Sequence, residues 1–406
     1  MKLALSSAEG SKERAVPLKL GLISEQVERM AESATAAARH ELLAEAQKLL
    51  RRADPAALRA TLSSRREPFP WLVAEPVGTF NATFPAPTPP PDFSVVAADG
   101  SFIPPDRHSP LRFYVINTGH AVITYGRHPD AHLDSEGRLY FEDAELYLDP
   151  TGRRIPIEGE RLGVRMAIEE MRALREALGL ASLPVVALRD GSLILWALQR
   201  KDESETKQAF LDQFLSCLDD FHRAQVPVAS YISYTGSQEV VNALRVSLCR
   251  DDPARCNRCS LSTDQKELCC FLSTLRDRHL FSGMLADGER SDLFRSRSAI
   301  LDEYGEHRVQ FFYVNVGGEI ARIEAPEWVT SNRAMLDLVH GLVYDQCQRS
   351  GDYPPYPPVL MEAHEQAVIS TTERRVVEQL VEEALARRGV TYVRSAKDRS
   401  KRSRGV

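Results

Sequence analysis

No stretch of this 406-residue chain approaches the roughly 18 uninterrupted apolar residues that a membrane-spanning helix requires. The opening MKLALSSAEGSKERAVPLKL also lacks the apolar centre of a secretory signal, so a cytoplasmic protein is expected. There is no G-x-x-x-x-G-K-[ST] loop, which excludes an ATP-driven motor of the Walker type within the chain itself. A large excess of positive charge is missing as well. With 51 basic against 57 acidic residues the formal net charge is -6, which argues against a uniformly basic nucleic-acid coat but leaves room for a local basic groove. Seven cysteines, an odd number in a chain without a signal, read as reduced thiols or metal ligands rather than as disulfides.

What is present is patterned. From Ile23 to about Leu62 apolar residues recur at helical spacing, broken at Asp54-Pro55 and ended at Glu67-Pro68-Phe69-Pro70, which defines an N-terminal helical region over 1–66. The proline-rich FPAPTPPPD closes an extended connector over 67–92. From 93 to 390 strands and helices mix in an α/β order. The segments LRFYVINTGHAVITYG and RLYFEDAELYLD predict an antiparallel meander, and 159–180 a helix with Met166, Ala167, Met171, Leu174 and Leu178 facing inward. Further helices are expected over about 203–224, 237–248, 332–349 and 371–388, a strand over 226–233, and a hairpin turning at Gly317-Gly318. The basic tail 391–406 predicts disorder.

Two apolar runs end in the same three residues. SVVAADGS closes on Asp99, Gly100 and Ser101, and LPVVALRDGS closes on Asp190, Gly191 and Ser192. One Asp-Gly is commonly only a turn. Two, each at the end of a buried-looking strand, are a means of holding carboxylates side by side, and hard divalent cations take oxygen ligands of this kind.

The motifs SVVAADGS, RMAIEEM, LPVVALRDGSL, ARIEAPEWV and YPPVLMEAHEQAVIS, in this order between about 90 and 385, resemble the NurA nucleases. The resemblance implies an α/β, RNase H-like mixed sheet flanked by helices, in which acids from neighbouring strands and one helix bind two divalent ions, Mn2+ or Mg2+. It assigns the strand acids to Asp99 and Asp190, and the helix acid to Glu169, four residues after Arg165, with Glu170 as the alternative. Tyr356 and His364 match the tyrosine and histidine that complete such a site. It further implies a metal-dependent DNA nuclease, 5′ to 3′ exonucleolytic with endonuclease activity on single strands, that forms homodimers and works in end resection with a HerA-type hexameric ATPase. A catalytically inactive scaffold on the same fold, and an RNase H-type RNA nuclease, are the competing readings.

Backbone contacts to DNA are expected from basic and aromatic residues near these motifs: Arg107, Arg112, Arg189, Arg322 and Trp328. SYISYTGS, over 230–237, is read as another cleft loop. Between 249 and 270 lies a cysteine-rich insert, Cys249, Cys256 and Cys259 in C-x6-C-x2-C spacing, then Cys269 and Cys270. It offers the soft ligands of a zinc or iron-sulfur site, or forms a metal-free loop.

Overall fold

The computed structural model describes residues 20–32, 36–64, 71–106, 109, 111–149, 152, 154–199, 204–249, 259–351 and 355–390. Arg107, Cys256 and the basic tail lie outside them. Two compact units divide the chain, 1–45 and 46–406. The first holds α1 (Leu20–Glu32) and the opening turns of α2 (Ala36–Arg52). In the second, the break expected at Asp54-Pro55 falls between α2 and α3 (Pro55–Ser64). Its cause is local: proline opens the new helix, and Asp54 Oδ1 accepts the Ala56 amide at 2.8 Å.

The remaining elements follow in order. They begin with β1 (Ala74–Pro76), β2 (Thr83–Phe84), β3 (Phe93–Ile103), β4 (Tyr114–Tyr125) and β5 (Asp130–Tyr140). Next come α4 (Asp143–Leu146), β6 (Tyr147–Leu148), β7 (Ile155–Pro156), α5 (Glu160–Ala177), β8 (Val185–Asp190) and α6 (Ser204–Ala224). The chain continues through β9 (Val228–Ile232), α7 (Glu239–Leu248), α8 (Thr263–Leu272), α9 (Asp277–Phe281), β10 (Arg290–Ser291) and β11 (Phe294–Ser296). It closes with β12 (Val309–Val316), β13 (Glu319–Pro326), α10 (Glu327–Thr330), α11 (Arg333–Arg349), α12 (Pro358–Ala367) and α13 (Thr371–Arg387).

One mixed sheet organises the second unit, in the order β1-β11-β12-β13-β9-β8-β3-β4-β5. The strands β3, β8 and β9 run parallel, while the meander β3-β4-β5 and the hairpin β12-β13 are antiparallel. A strand covered on both faces must be apolar along its whole length, which is why β3 and β8 read as continuous runs rather than as alternating ones. Val96, Ala98, Val185 and Ala187 pack on one side with Leu162, Ile168, Met171 and Leu174 of α5 and Phe214 and Leu218 of α6. Val95, Ala97, Val186 and Leu188 pack on the other with Val339, Leu342 and Val343 of α11 and Val359, Leu360 and Ala363 of α12.

Two expectations are corrected. The second strand of the meander is not RLYFEDAELYLD but begins earlier, at Asp130, while 143–146 form a helical turn. β5 is an edge strand, exposed from Asp130 to Leu139, so its residues obey no burial pattern and its register comes from backbone pairing with β4. The proline-rich stretch is also more than a connector: β1 pairs with β11 and β2 with β10. Proline is tolerated there because β1 is an edge strand. Among the described residues no helix is long and apolar enough to cross a membrane.

His340 on α11 is fully buried, with Nε2 at 2.9 Å from the Gly288 carbonyl. Burial, reinforced by the nearby Arg290 charge, pushes its imidazole down to about 4 from the ordinary 6.5. The depressed value means that the folded state disfavours the protonated ring. The neutral ring's contribution is therefore complete above about pH 6.5 and is lost as pH falls toward 4, an effect of up to about 3 kcal/mol. Melting temperatures measured between pH 7 and 4.5 should fall more steeply for the native chain than for His340→Gln, and parallel curves would refute this account.

Candidate active site

The two Asp-Gly strands are parallel neighbours. Their last paired residues are Ala98 and Arg189, so Asp99 and Asp190 are the next positions along, about 4.8 Å apart in backbone spacing; β8 ends at Asp190, while β3 continues past Asp99 to Ile103 in its pairing with β4. Asp99 Oδ1 accepts the Gly100 amide at 2.8 Å, and Oδ2 meets His364 Nδ1 at 2.6 Å. Asp190 Oδ1 accepts the Gly191 amide at 2.9 Å, at a turn where Gly191 takes φ +77°. Tyr356 donates its hydroxyl to Asp190. Burial raises the Asp190 carboxyl above the ordinary range and the charge of Asp99 adds to this, against the Gly191 amide and the Tyr356 hydroxyl. The Tyr356 hydroxyl is itself pushed up, by burial and then by Asp190, so it remains a proton donor at neutral pH.

His364 reaches Asp99 because α12 lies directly on the strands. Gly119 of β4 stands opposite Asp99, and a Cβ there would come within 2.4 Å of the Ala367 nitrogen and 2.5 Å of the Ala363 oxygen. Only a residue without a side chain permits that approach. The far end of α12 is tied to the same strands: Asn117 Nδ2 donates to the Ala367 carbonyl at 2.8 Å and Ser101 Oγ at 2.5 Å. These bonds satisfy a helix-end carbonyl that would otherwise have no partner.

Of the two helix glutamates, Glu170 and not Glu169 is the one that lies beside the aspartates. Glu170 falls on the buried stripe of α5 and is 4% exposed, with Oε2 accepting Arg189 Nη2 at 2.8 Å and Nε at 3.1 Å. Its Oε1 lies 2.9 Å from where a Cβ of Gly100 would sit, so the glycine after Asp99 opens the way for the carboxylate. Burial pushes the Glu170 carboxyl up to about 7; Arg189 opposes this, while Asp99 and Asp190 add to it. Glu169 points elsewhere. Its Oε1 pairs with Arg165 at 2.9 Å and Arg172 at 2.9 Å, on the side of α5 that faces β4 and β5.

The expected DNA contacts are placed differently. Arg189 is buried against Glu170 and donates to the Ser192 carbonyl, so it is no free cation. Arg322 is 2% exposed, paired with Glu239 at 2.8 Å and Glu324 at 2.9 Å and stacked over Phe311. Arg112 pairs with Glu158 and lies over Tyr147. Trp328 stacks on His222 at 4.6 Å and donates its indole N–H to His307 Nδ1 at 3.1 Å. Arg189 and Arg322 are held in internal pairs, where desolvation has already been compensated within the protein, while the Arg112 pair is about a third exposed, 32% and 38%. Sequence reasoning also missed Glu324, which accepts Ser192 Oγ at 2.7 Å and the Leu193 amide at 2.9 Å and so fixes the turn after Asp190.

Of the cysteine insert, Cys259, Cys269 and Cys270 are free thiols, the last two adjacent on α8, and Cys249 caps the end of α7. Among the described residues they form no three-ligand group. Such a group does arise at Asp219, Glu306 and His307, whose ligand atoms lie within 4.8 Å of one another. There His307 accepts the Trp328 N–H on Nδ1, which leaves Nε2 as the protonated nitrogen that donates to Asp219 at 2.7 Å. A cation could bind His307 only by displacing one of these two hydrogen bonds.

Three parallel strands beside an antiparallel meander, with carboxylates on two neighbouring strands and one on the covering helix, make an RNase H-like fold. The NurA domain family matches residues 93–369, and the chain belongs to the NurA family of nucleases. Among solved structures it is similar to the NurA nuclease from Sulfolobus solfataricus, at 12% identity and TM-score 0.45 over 91% of this chain and 96% of that one. The catalytic domain of human endonuclease V aligns at 12% identity and TM-score 0.30, over 72% of this chain and 84% of that one. Drosophila Piwi aligns at 9% and 0.27, over 67% and 29% respectively. No curated protein matches.

Two substitutions separate scaffold from site. Gly119→Ala should cost about 1–3 kcal/mol in denaturant unfolding, because backbone rather than a flexible side chain must move. It should also lower any activity that depends on His364; unchanged stability would contradict the packing. Glu170→Gln keeps an acceptor for Arg189 and should reduce nuclease rate roughly 100-fold, whereas Glu169→Gln should leave the rate near the native value. The reverse ranking in a single assay would return the helix acid to Glu169.

Proposed function

We propose that this protein hydrolyses DNA phosphodiesters with the aid of two divalent cations, Mn2+ or Mg2+, held by Asp99, Asp190 and Glu170 with His364 beside them. The observation that carries the reading is the side-by-side placing of Asp99 and Asp190 where the pairing of β3 with β8 ends, with Glu170 approaching across Gly100. The donor set fits hard cations: it is built of carboxylate oxygens, and burial, with neighbouring negative charge added to it, raises the carboxyls of both Asp190 and Glu170. Bound cations of this kind activate a water at neutral pH and stabilise charge on the attacking and leaving oxygens.

The protein's own groups have distinct tasks. Gly100 and Gly191 amides orient one oxygen of each aspartate, leaving the other turned to the cleft or to His364. Tyr356 holds Asp190 as a donor and, being hard to ionise, supplies no base. His364 is the exposed member, its Nδ1 turned to Asp99 and its Nε2 available to take a proton from water or return one to the leaving oxygen. Arg189 neutralises part of the charge on Glu170.

The family supports finer expectations: 5′ to 3′ exonuclease action with single-strand endonuclease activity, a homodimer, and service to a HerA-type hexameric ATPase in end resection. DNA feeding requires such a partner because the chain has no Walker loop. Labelled single- and double-stranded DNA, with an RNA control, should be cut in Mn2+ or Mg2+ and spared in EDTA, and RNA should be cut poorly. Asp99→Ala with an unchanged circular dichroism spectrum should lose about 100-fold or more of the rate. Native-like cleavage by that variant would sink the metal assignment, and a native chain inert in both metals would leave the inactive scaffold.

A further inference from the structure

A cleft of about 520 Å³ lies at the ends of β8 and β9, beside the strand end that carries Asp190. Ser192, two residues past Asp190, and Ile232, next to the strand partner of Asp190, stand on its wall. Ligands in open sheets of this kind collect at the carboxyl ends of parallel strands. Trp196 supplies a planar side that is 37% exposed, and its Nε1 donates to Ser192 Oγ at 3.0 Å, which fixes the ring.

The floor of the cleft is charged. Arg322 Nη1 donates to Glu239 Oε1 at 2.8 Å and Ser237 Oγ at 3.0 Å, and its Nε donates to Glu324 Oε1 at 2.9 Å. Arg322 Nη2 and Glu239 Oε2 are buried and have no hydrogen-bond partner. An N–H and a carboxylate oxygen left in this way are costly, and both belong to residues that line one cavity. One guanidinium against two carboxylates leaves the floor net negative, which disfavours a phosphate. A neutral planar group with an acceptor next to an N–H donor satisfies both atoms and stacks on the indole. The Watson–Crick edge of a nucleobase has that form.

We propose that this cleft receives one base of the strand whose phosphate lies at Asp99 and Asp190, stacked on Trp196 and read by Arg322 Nη2 and Glu239 Oε2. The inference rests on the DNA-cleaving reading above for the position of the strand, but the pocket itself needs neither metal nor hydrolysis. It gives Arg322 a contact to a base instead of the backbone contact expected of a surface cation.

Equilibrium dialysis of the full-length protein in EDTA tests it, with deoxyguanosine, deoxyadenosine, deoxycytidine and thymidine as probes and 2-deoxyribose 5-phosphate as the base-free control. At least one nucleoside should be retained while the control is not, and Trp196→Ala should weaken retention roughly 10-fold. Glu239→Gln, which keeps the bulk of the side chain, should change which nucleoside is preferred. The proposal fails if no nucleoside is retained at roughly 10 mM, if the sugar phosphate is held equally, or if Trp196→Ala binds as the native chain does. DNA cleavage without nucleoside binding removes the pocket alone. Nucleoside binding in a chain that cleaves nothing removes the hydrolase reading alone.

Discussion

Crowding of like charge is the constraint on which the site depends. Asp99, Asp190 and Glu170 converge with Arg189 as the buried cation among them, and burial first, then their mutual charge, leaves Asp190 and Glu170 holding their protons more tightly than carboxylates in water. A fold does not keep such an arrangement for stability, since apolar residues of similar size would pack there at less cost. The arrangement is instead a deficit of positive charge with defined geometry, and the surrounding elements read as devices that preserve it.

Those devices are mostly backbone. Parallel pairing of β3 with β8 fixes the spacing of the two aspartates, and each is oriented by the amide of the glycine that follows it. Gly100 leaves space for Glu170, and Gly119 leaves space for α12. Side chains then secure what the backbone has placed: Glu324 braces the turn after Asp190, and Asn117 and Ser101 hold the end of α12.

Much of this was legible in the chain, in proportion to how directly each feature follows from periodicity. The paired strands, the α5 helix, the glycine hairpin and the C-terminal helices emerge at nearly the expected boundaries because burial imposes their spacing. β5 was misplaced because an exposed edge strand carries no such spacing. The choice between Glu169 and Glu170 was in fact available. Glu170 lies three residues after Ala167 and four before Leu174, on the inward stripe, while Glu169 sits between Arg165 and Arg172 at ion-pair spacing. A charge on an apolar stripe was the signal, and alignment to a motif obscured it. The basic residues could not be sorted from sequence, because Arg189 and Arg322 find partners that are distant along the chain.

The contact of α12 with β4 carries a further consequence. Where backbone touches backbone, no rotamer is available to absorb a small displacement, so the helix that carries His364 is as fixed as the sheet beneath it. The imidazole, exposed to solvent and free to turn about its own two bonds, is then aimed by its contact with Asp99 alone. The anchor of this residue belongs to the most deeply packed layer of the molecule, and its ring to the surface.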